Sequence, residues 1–173
     1  MGVVAQRPGI HSVEKSRWGW WKKTKGGYRE DLKREYRSSW EANIHRLLNW
    51  MKQEGIPFTG KHVSYETVYV EFNARRGGPM GYHPDFVLYL SSPIVIGNRK
   101  YSKAHIEISG FRDRKKIEKM KRLKEDYGDK NGIISIEIVS EVYYMLEDSY
   151  SAIVPNWELS GKRRKTENAT GLQ

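Results

Sequence analysis

The chain has 173 residues, enough for one domain with a core of its own. Its 31 Lys and Arg outnumber 21 Asp and Glu, a formal net charge of +10, which favours a polyanionic partner, either nucleic acid or an anionic membrane face. The absence of cysteine excludes disulfides, thiolate catalysis and Cys-ligated zinc; no run reaches the ~18 apolar residues of a membrane span. The first residues, "MGVVAQRPGIHSVEKSRWGWW", contain no apolar signal-peptide core. Gly2 follows Met1, but Gln6 stands where a myristoylation motif needs Ser or Thr. The expectation is a soluble, cytoplasmic protein without a membrane partner.

Residues 1–35 have no clean period. They carry nine Lys and Arg against four Asp and Glu, interleaved with Trp18, Trp20, Trp21 and Tyr28. Such a basic aromatic arm suits stacking on bases and pairing with phosphates. It equally suits an arm whose tryptophans pack on the domain while its lysines are solvated. Residues 36–160 read as the folded domain. From Ser38 or Ser39 as N-cap, "SSWEANIHRLLNWMKQEG" predicts a helix with Trp40, Ile44, Leu47, Leu48 and Met51 on one stripe, ended by Gly55 and Pro57. "HVSYETVYVEF" is one or two strands. "NARRGGPMGY" is a glycine-rich loop carrying Arg75 and Arg76. "DFVLYL" is a strand, "SSPIVIGNRK" a turn or short hairpin, and "YSKAHIEIS" another strand. "DRKKIEKMKRLKEDYG" is a helix with Ile117, Met120, Leu123 and Tyr127 inward and Gly128 as its stop. "GIISIEIV" is a buried strand, and Ser140 caps a last helix. Residues 161–173, with "GKRRK", form a basic polar tail. The fold class is α/β, in the order α-β-β-β-α-β-α, a mixed sheet with helices against it.

Period-two alternation places Lys103, His105, Glu107 and Ser109 on one face of their strand. Asp85 opens the preceding strand. If the two strands are neighbours, Asp85 and Glu107 converge. Two carboxylates in a basic, phosphate-binding protein point to a hard cation, Mg2+ or Mn2+. Taken alone, a Pro-Asp pair and a Glu-x-Ser recur by chance in many proteins.

Three ordered segments, "YRSSWEANIHRLLNWM", "YHPDFVLYL" and "HIEISGFRDRKKIEKMKRL", together resemble the PD-(D/E)XK nuclease superfamily. They are most similar to phage endonucleases of the endonuclease I, junction-resolving type. The resemblance spans roughly residues 28–127. It implies a restriction-endonuclease-like core, a metal-dependent hydrolysis of DNA phosphodiesters, a four-way (Holliday) junction or other branched or nicked substrate, a homodimer, and a phage-encoded protein acting in a bacterial host. By position it implies Asp85 as metal-bridging aspartate and Glu107 as second carboxylate. It adds the Ile108 carbonyl as a further ligand, Glu41 as the helix glutamate assisting metal or water, and Gly110 as the glycine closing the strand. Ser109 departs from the pattern, because it stands where the motif has lysine.

Loss of one preorganised cationic donor costs on the order of 100- to 1000-fold in rate. Lys103 shares the face but lies four residues away, about 13 Å along the strand. Arg112, Arg114, Lys115 and Lys116 start the next helix; one of them folds back into the site, or they form a solvated phosphate-facing surface, or the site is retired. Residues 111–127 carry eight Lys and Arg against four Asp and Glu. With Lys119, Arg75 and Arg76 they suit sequence-independent DNA backbone contact. His45, His83 and His105 are each a candidate base or ligand, and each an ordinary polar residue. His83, beside Pro84 and Asp85, ranks first for contact near the scissile phosphate. The expected function is a Mg2+- or Mn2+-dependent DNA endonuclease whose Ser109 impairs turnover. The alternatives are a non-catalytic DNA-binding protein on a nuclease scaffold and an RNA-directed nuclease or binder.

Overall fold

The structure, a computed structural model, describes residues 25–56, 60–73, 79–110, 114–127 and 132–160. Its elements are β1 (Gly27–Arg29), β2 (Arg34–Tyr36), α1 (Ser39–Gln53), β3 (Gly60–Tyr65), β4 (Val70–Glu71), β5 (Gly81–Tyr82), β6 (Phe86–Ile96), β7 (Arg99–Ser109), α2 (Arg114–Tyr127), β8 (Ile133–Val139) and α3 (Ser140–Tyr150). The protein is α/β, with a mixed sheet flanked by these three helices.

α1 begins where the sequence signals it. Ser38 is extended, and its Oγ accepts the Glu41 N–H at 3.2 Å, satisfying a donor that the helix start leaves free. Trp40, Ile44, Leu47 and Leu48 are buried. Gly55, at φ +65°, takes the left-handed turn after the helix.

The main sheet has the order β3-β6-β7-β8. β3, β6 and β7 are antiparallel neighbours, whereas β8 runs parallel to β7. A parallel pair cannot be joined by a tight turn, and α2 supplies the crossover. The β6–β7 register pairs Phe86 with Ile106. Asp85, the residue before β6, therefore comes to lie beside Glu107. Phe86, Leu88, Ala104, Ile106, Ile108 and Ile138 face a core shared with α1 and α3, where Trp40 and Tyr143 stack at 4.1 Å. The opposite face of β7 carries His105, Glu107 and Ser109, all buried. A smaller core of Val70, Phe72, Tyr82, Met120 and Leu123 joins α2 to the β4–β5 ribbon.

The fold departs from the sequence reading in several elements. Ile117 is not inward but 54% exposed; Met120 and Leu123 are buried as expected, and α2 also buries Arg122, whose guanidinium donates to the Asn73 carbonyl at 2.6 Å. Ser140 does not cap α3: the N-cap is Val139, without a side-chain bond, while Ser140 Oγ donates to the Gly110 carbonyl at 3.2 Å. "SSPIVIGNRK" holds the expected turn, at Gly97 (φ +59°), but its flanks are strand and form the far end of the long β6–β7 hairpin. From Lys25 on, the segment expected to be an arm belongs to the body, because Arg29 donates to Glu158 Oε2 at 2.8 Å and Arg46 to Asp31 Oδ2 at 2.7 Å. The three arm tryptophans, Arg75, Arg76, Arg112, Gly128 and the 161–173 tail lie outside the described residues. Among the described residues, no helix is long and apolar enough to cross a membrane.

Candidate metal and nucleic-acid site

Asp85 is 1% exposed. Its Oδ2 accepts the Ile108 N–H at 2.6 Å, and its Oδ1 accepts from the Arg37 guanidinium. Glu107, on the facing strand, accepts the Tyr82 hydroxyl at 2.7 Å and the Lys116 ammonium at 2.7 Å. Lys116 also donates to the Ile108 carbonyl at 2.9 Å. The Ile108 peptide thus ties both halves together, its N–H on Asp85 and its C=O on a cation. Lys116 sits in the first turn of α2, and the parallel crossover brings that turn over the ends of β6 and β7.

The local field is frustrated. Burial, and then the neighbouring Glu107 charge, push Asp85 up to about 7, against the Ile108 N–H and Arg37, which act the other way. Burial disfavours the Arg37 charge, but Glu41, Asp85 and Glu66 more than offset this and hold it protonated. Arg37 Nε lies 2.7 Å from Glu66 and 3.6 Å from Glu41. Burial, and then Glu107, push the Tyr82 hydroxyl up, so it stays a donor.

A cleft of about 460 Å³ opens on Asp85 and Glu107; Arg37, Tyr69, His83, Lys115, Lys116 and Lys119 are among its lining residues. Arg114, at the start of α2, is exposed. Glu41 does not join the pair. Its carboxylate accepts from Ser38 Oγ at 3.1 Å, from the Arg37 N–H at 3.1 Å and from the Tyr65 hydroxyl. Among the described residues, no three His, Asp or Glu side chains form a group that could hold a metal. The expected three-carboxylate convergence is therefore corrected to a pair, with Glu41 standing behind Arg37 as its anchor. Ser109 is buried and its Oγ has no hydrogen-bond partner; it does not line the cleft.

The histidines separate. His83 lines the cleft, its Nδ1 3.1 Å from the Val68 carbonyl. His45 does not share a site with Glu41: it meets the Tyr36 hydroxyl, and burial followed by Arg34 lowers it to about 4. His105 is buried and lowered to about 4, by burial and then Lys103. Neither is available as a base near the cleft. Lys103 lies over the Tyr89 ring at 4.8 Å, away from the carboxylates.

Sequence reasoning did not single out Tyr69. Arg37 and Tyr82 lie inside the quoted segments, as the Arg of Arg-Ser-x-x-Glu and the Tyr of Tyr-x-Pro-Asp-Phe, but they were given no role there, because nothing in their spacing says which way they point.

Asp85, Glu107 and the Ile108 carbonyl form an all-oxygen donor set, the kind a hard cation takes. The Lys116 ammonium already rests between two of those oxygens, a positive charge held by the groups that would hold a metal. The residues fit Mg2+ or Mn2+ with Lys116 moved off the carbonyl. Comparison of the chain with protein-family models, with curated proteins and with solved structures finds no match.

Proposed function

We propose that the chain is a Mg2+- or Mn2+-dependent DNA endonuclease with a restriction-endonuclease-like core, in which the motif cation has moved from the strand to Lys116. The observation that carries this reading is the Lys116 ammonium, 2.7 Å from Glu107 and 2.9 Å from the Ile108 carbonyl. It sets a cation from α2 on the second carboxylate, where the motif carries a lysine on the strand. The main-sheet order α1-β3-β6-β7-α2-β8, with Asp85 at the start of β6 and Glu107 on neighbouring β7, supports the same reading.

Asp85, Glu107 and the Ile108 carbonyl would hold the ion. When bound, a divalent ion polarises the phosphoryl oxygen and lowers the pKa of a coordinated water. Lys116 stays on Glu107 and orients the nucleophile. Arg37, beside Asp85 and largely exposed, would be in place to pair with the substrate phosphate. Lys115 and Lys119 take flanking phosphates. Branched or nicked DNA as substrate, and a homodimer for paired cuts, follow from the resemblance.

The test is cleavage of a four-way junction and of plain duplex in Mg2+ or Mn2+. Lys116→Ala is expected to lower the rate on the order of 100- to 1000-fold, and Ser109→Lys to leave it unrescued. A full-rate Lys116→Ala enzyme would remove the relocated cation from the mechanism; cutting by Asp85→Asn would remove the site.

One observation favours a second reading, the non-catalytic DNA-binding protein. Both cleft carboxylates are already charge-paired, Asp85 with Arg37 and Glu107 with Lys116. On that reading Mn2+ titration calorimetry shows no binding, and DNA is held without cuts.

A further inference from the structure

We infer that Tyr69 and His83 form a stacking subsite for an unpaired nucleobase beside the scissile phosphate, an inference that rests on the nuclease reading and gives it a substrate preference. Tyr69 immediately precedes β4 and His83 immediately follows β5. Because Val70 pairs with Tyr82 across this ribbon, the two rings face each other at its end. Their centroids are 4.9 Å apart and their planes are inclined by 49°.

Both rings are braced by backbone. A Cβ at Gly81 would come within 2.2 Å of the Tyr69 hydroxyl oxygen and 2.3 Å of its ring. Tyr69 therefore lies directly on Gly81, where any larger residue would displace it. His83 is set by its Nδ1 contact with the Val68 carbonyl at 3.1 Å. Yet Tyr69 remains 54% exposed, and both residues line the cleft that holds Asp85 and Glu107. A large aromatic side chain held in place with its surface open serves no packing need of its own.

The subsite is fixed relative to the acids. Only Pro84 separates His83 from Asp85, so their Cα atoms are at most ~7 Å apart. The ribbon itself is anchored to Glu107 by the Tyr82 hydroxyl at 2.7 Å. A base resting on these rings places its own phosphate close to Asp85, with Lys115, Lys116 and Lys119 also lining the cleft to receive charge. Stacking accepts every base, because each has a π-face. Bases inside intact duplex are already stacked on each other and cannot reach the rings. The ligand is therefore a nucleotide without a pairing partner, as at a flap, a gap or a junction centre.

The experiment uses the full-length protein in EDTA. It measures affinity for a flapped DNA and for the matching intact duplex, with 2-aminopurine as the unpaired base. Tyr69→Ala is expected to reduce the flap-over-duplex preference by about fivefold or more, the lower end of a base–aromatic stack. Tyr69→Phe keeps that preference, whereas Lys119→Ala weakens both affinities together. The 2-aminopurine fluorescence is quenched by the wild type and by Tyr69→Phe, and recovers in Tyr69→Ala. An unchanged preference in Tyr69→Ala overturns the subsite while leaving the nuclease reading intact. A wild-type protein that binds neither DNA overturns the nuclease reading, and the subsite with it.

Discussion

Two clusters of arginine and carboxylate occupy this molecule, and the same residue types behave oppositely in them. In the first, Arg46 of α1 binds Asp31 at 2.7 and 2.9 Å and Glu158 at 2.8 Å, while Arg29 takes the other Glu158 oxygen at 2.8 Å. Asn43 closes the network to Tyr143 at 2.7 Å and to the Glu158 backbone at 2.8 and 2.9 Å. The Arg46 hydrogen bond holds Asp31 below the usual carboxylate range. Burial would raise Glu158, but its bonds to Arg29 and Arg46 win and lower it. In the second cluster, the cleft, Asp85 faces Glu107, and burial plus that neighbouring charge outweigh Arg37. Matched charges mark a structural clasp joining the β1–β2 hairpin, α1 and the chain after α3. In the open cleft two buried carboxylates lie side by side, each with one cation, and burial plus their mutual repulsion keep Asp85 easily protonated.

The largest expected effect breaks the clasp. Arg46→Ala leaves Asp31 without its cation, while Glu158 keeps Arg29, and should cost about 3 kcal/mol, measured by urea unfolding, with Mn2+ affinity unchanged. A loss under about 1 kcal/mol would make this an ordinary surface pair.

Next comes the pH dependence, where the two clusters should differ in sign. The folded-state values of Asp31 and Glu158 are depressed, so their stabilisation is present above about pH 4 and is lost as pH falls through the lowered values. Asp85 is raised, so the metal-free fold binds more protons than the unfolded chain between about pH 4 and pH 7, and stability falls as pH rises through that window. Ionised Asp85 costs at most about 4 kcal/mol. Urea midpoints in EDTA should show that fall in the wild type and a flatter profile in Asp85→Asn; an identical slope would assign the titration elsewhere.

A smaller effect is expected at the anchor. Tyr65→Phe removes one donor to the Glu41 carboxylate and should cost about 1.5 kcal/mol, with Ser38 and the Arg37 N–H remaining. Smallest is Arg37→Ala. Its side chain is 61% exposed, and an exposed pair is worth about 1 kcal/mol, so Mn2+ binding at alkaline pH should tighten about fivefold. Weaker Mn2+ binding would mean that Arg37 assists the site rather than fills it.

Much of the fold was legible because its signals are local. Ser38 caps α1 by reaching three residues along the chain, and the Trp40, Ile44, Leu47 and Leu48 stripe needs only a helical period. Ile117 and Ser140 were misread for one reason. Both obey a local rule, but α2 rotates to bury Arg122 under the loop backbone, and the Ser140 hydroxyl donates to the Gly110 carbonyl while Val139 takes the N-cap position. Glu41 was misplaced because a side chain's partners, here Tyr65 and Arg37, are not set by its position in a motif.

The sequence alone determined that Glu107 and Ser109 share a strand face and that Asp85 opens the strand before it, since alternation and chain order are properties of the backbone. Only the tertiary structure decided which cation meets Glu107, and it is Lys116. That choice depends on where the first turn of α2 lands after its crossover, and one helical residue changes a side chain's direction by about 100°. The same packing decided that Glu41 anchors Arg37 and that Tyr69 lies open on Gly81. These are contacts between segments far apart in the chain, and no periodicity encodes them.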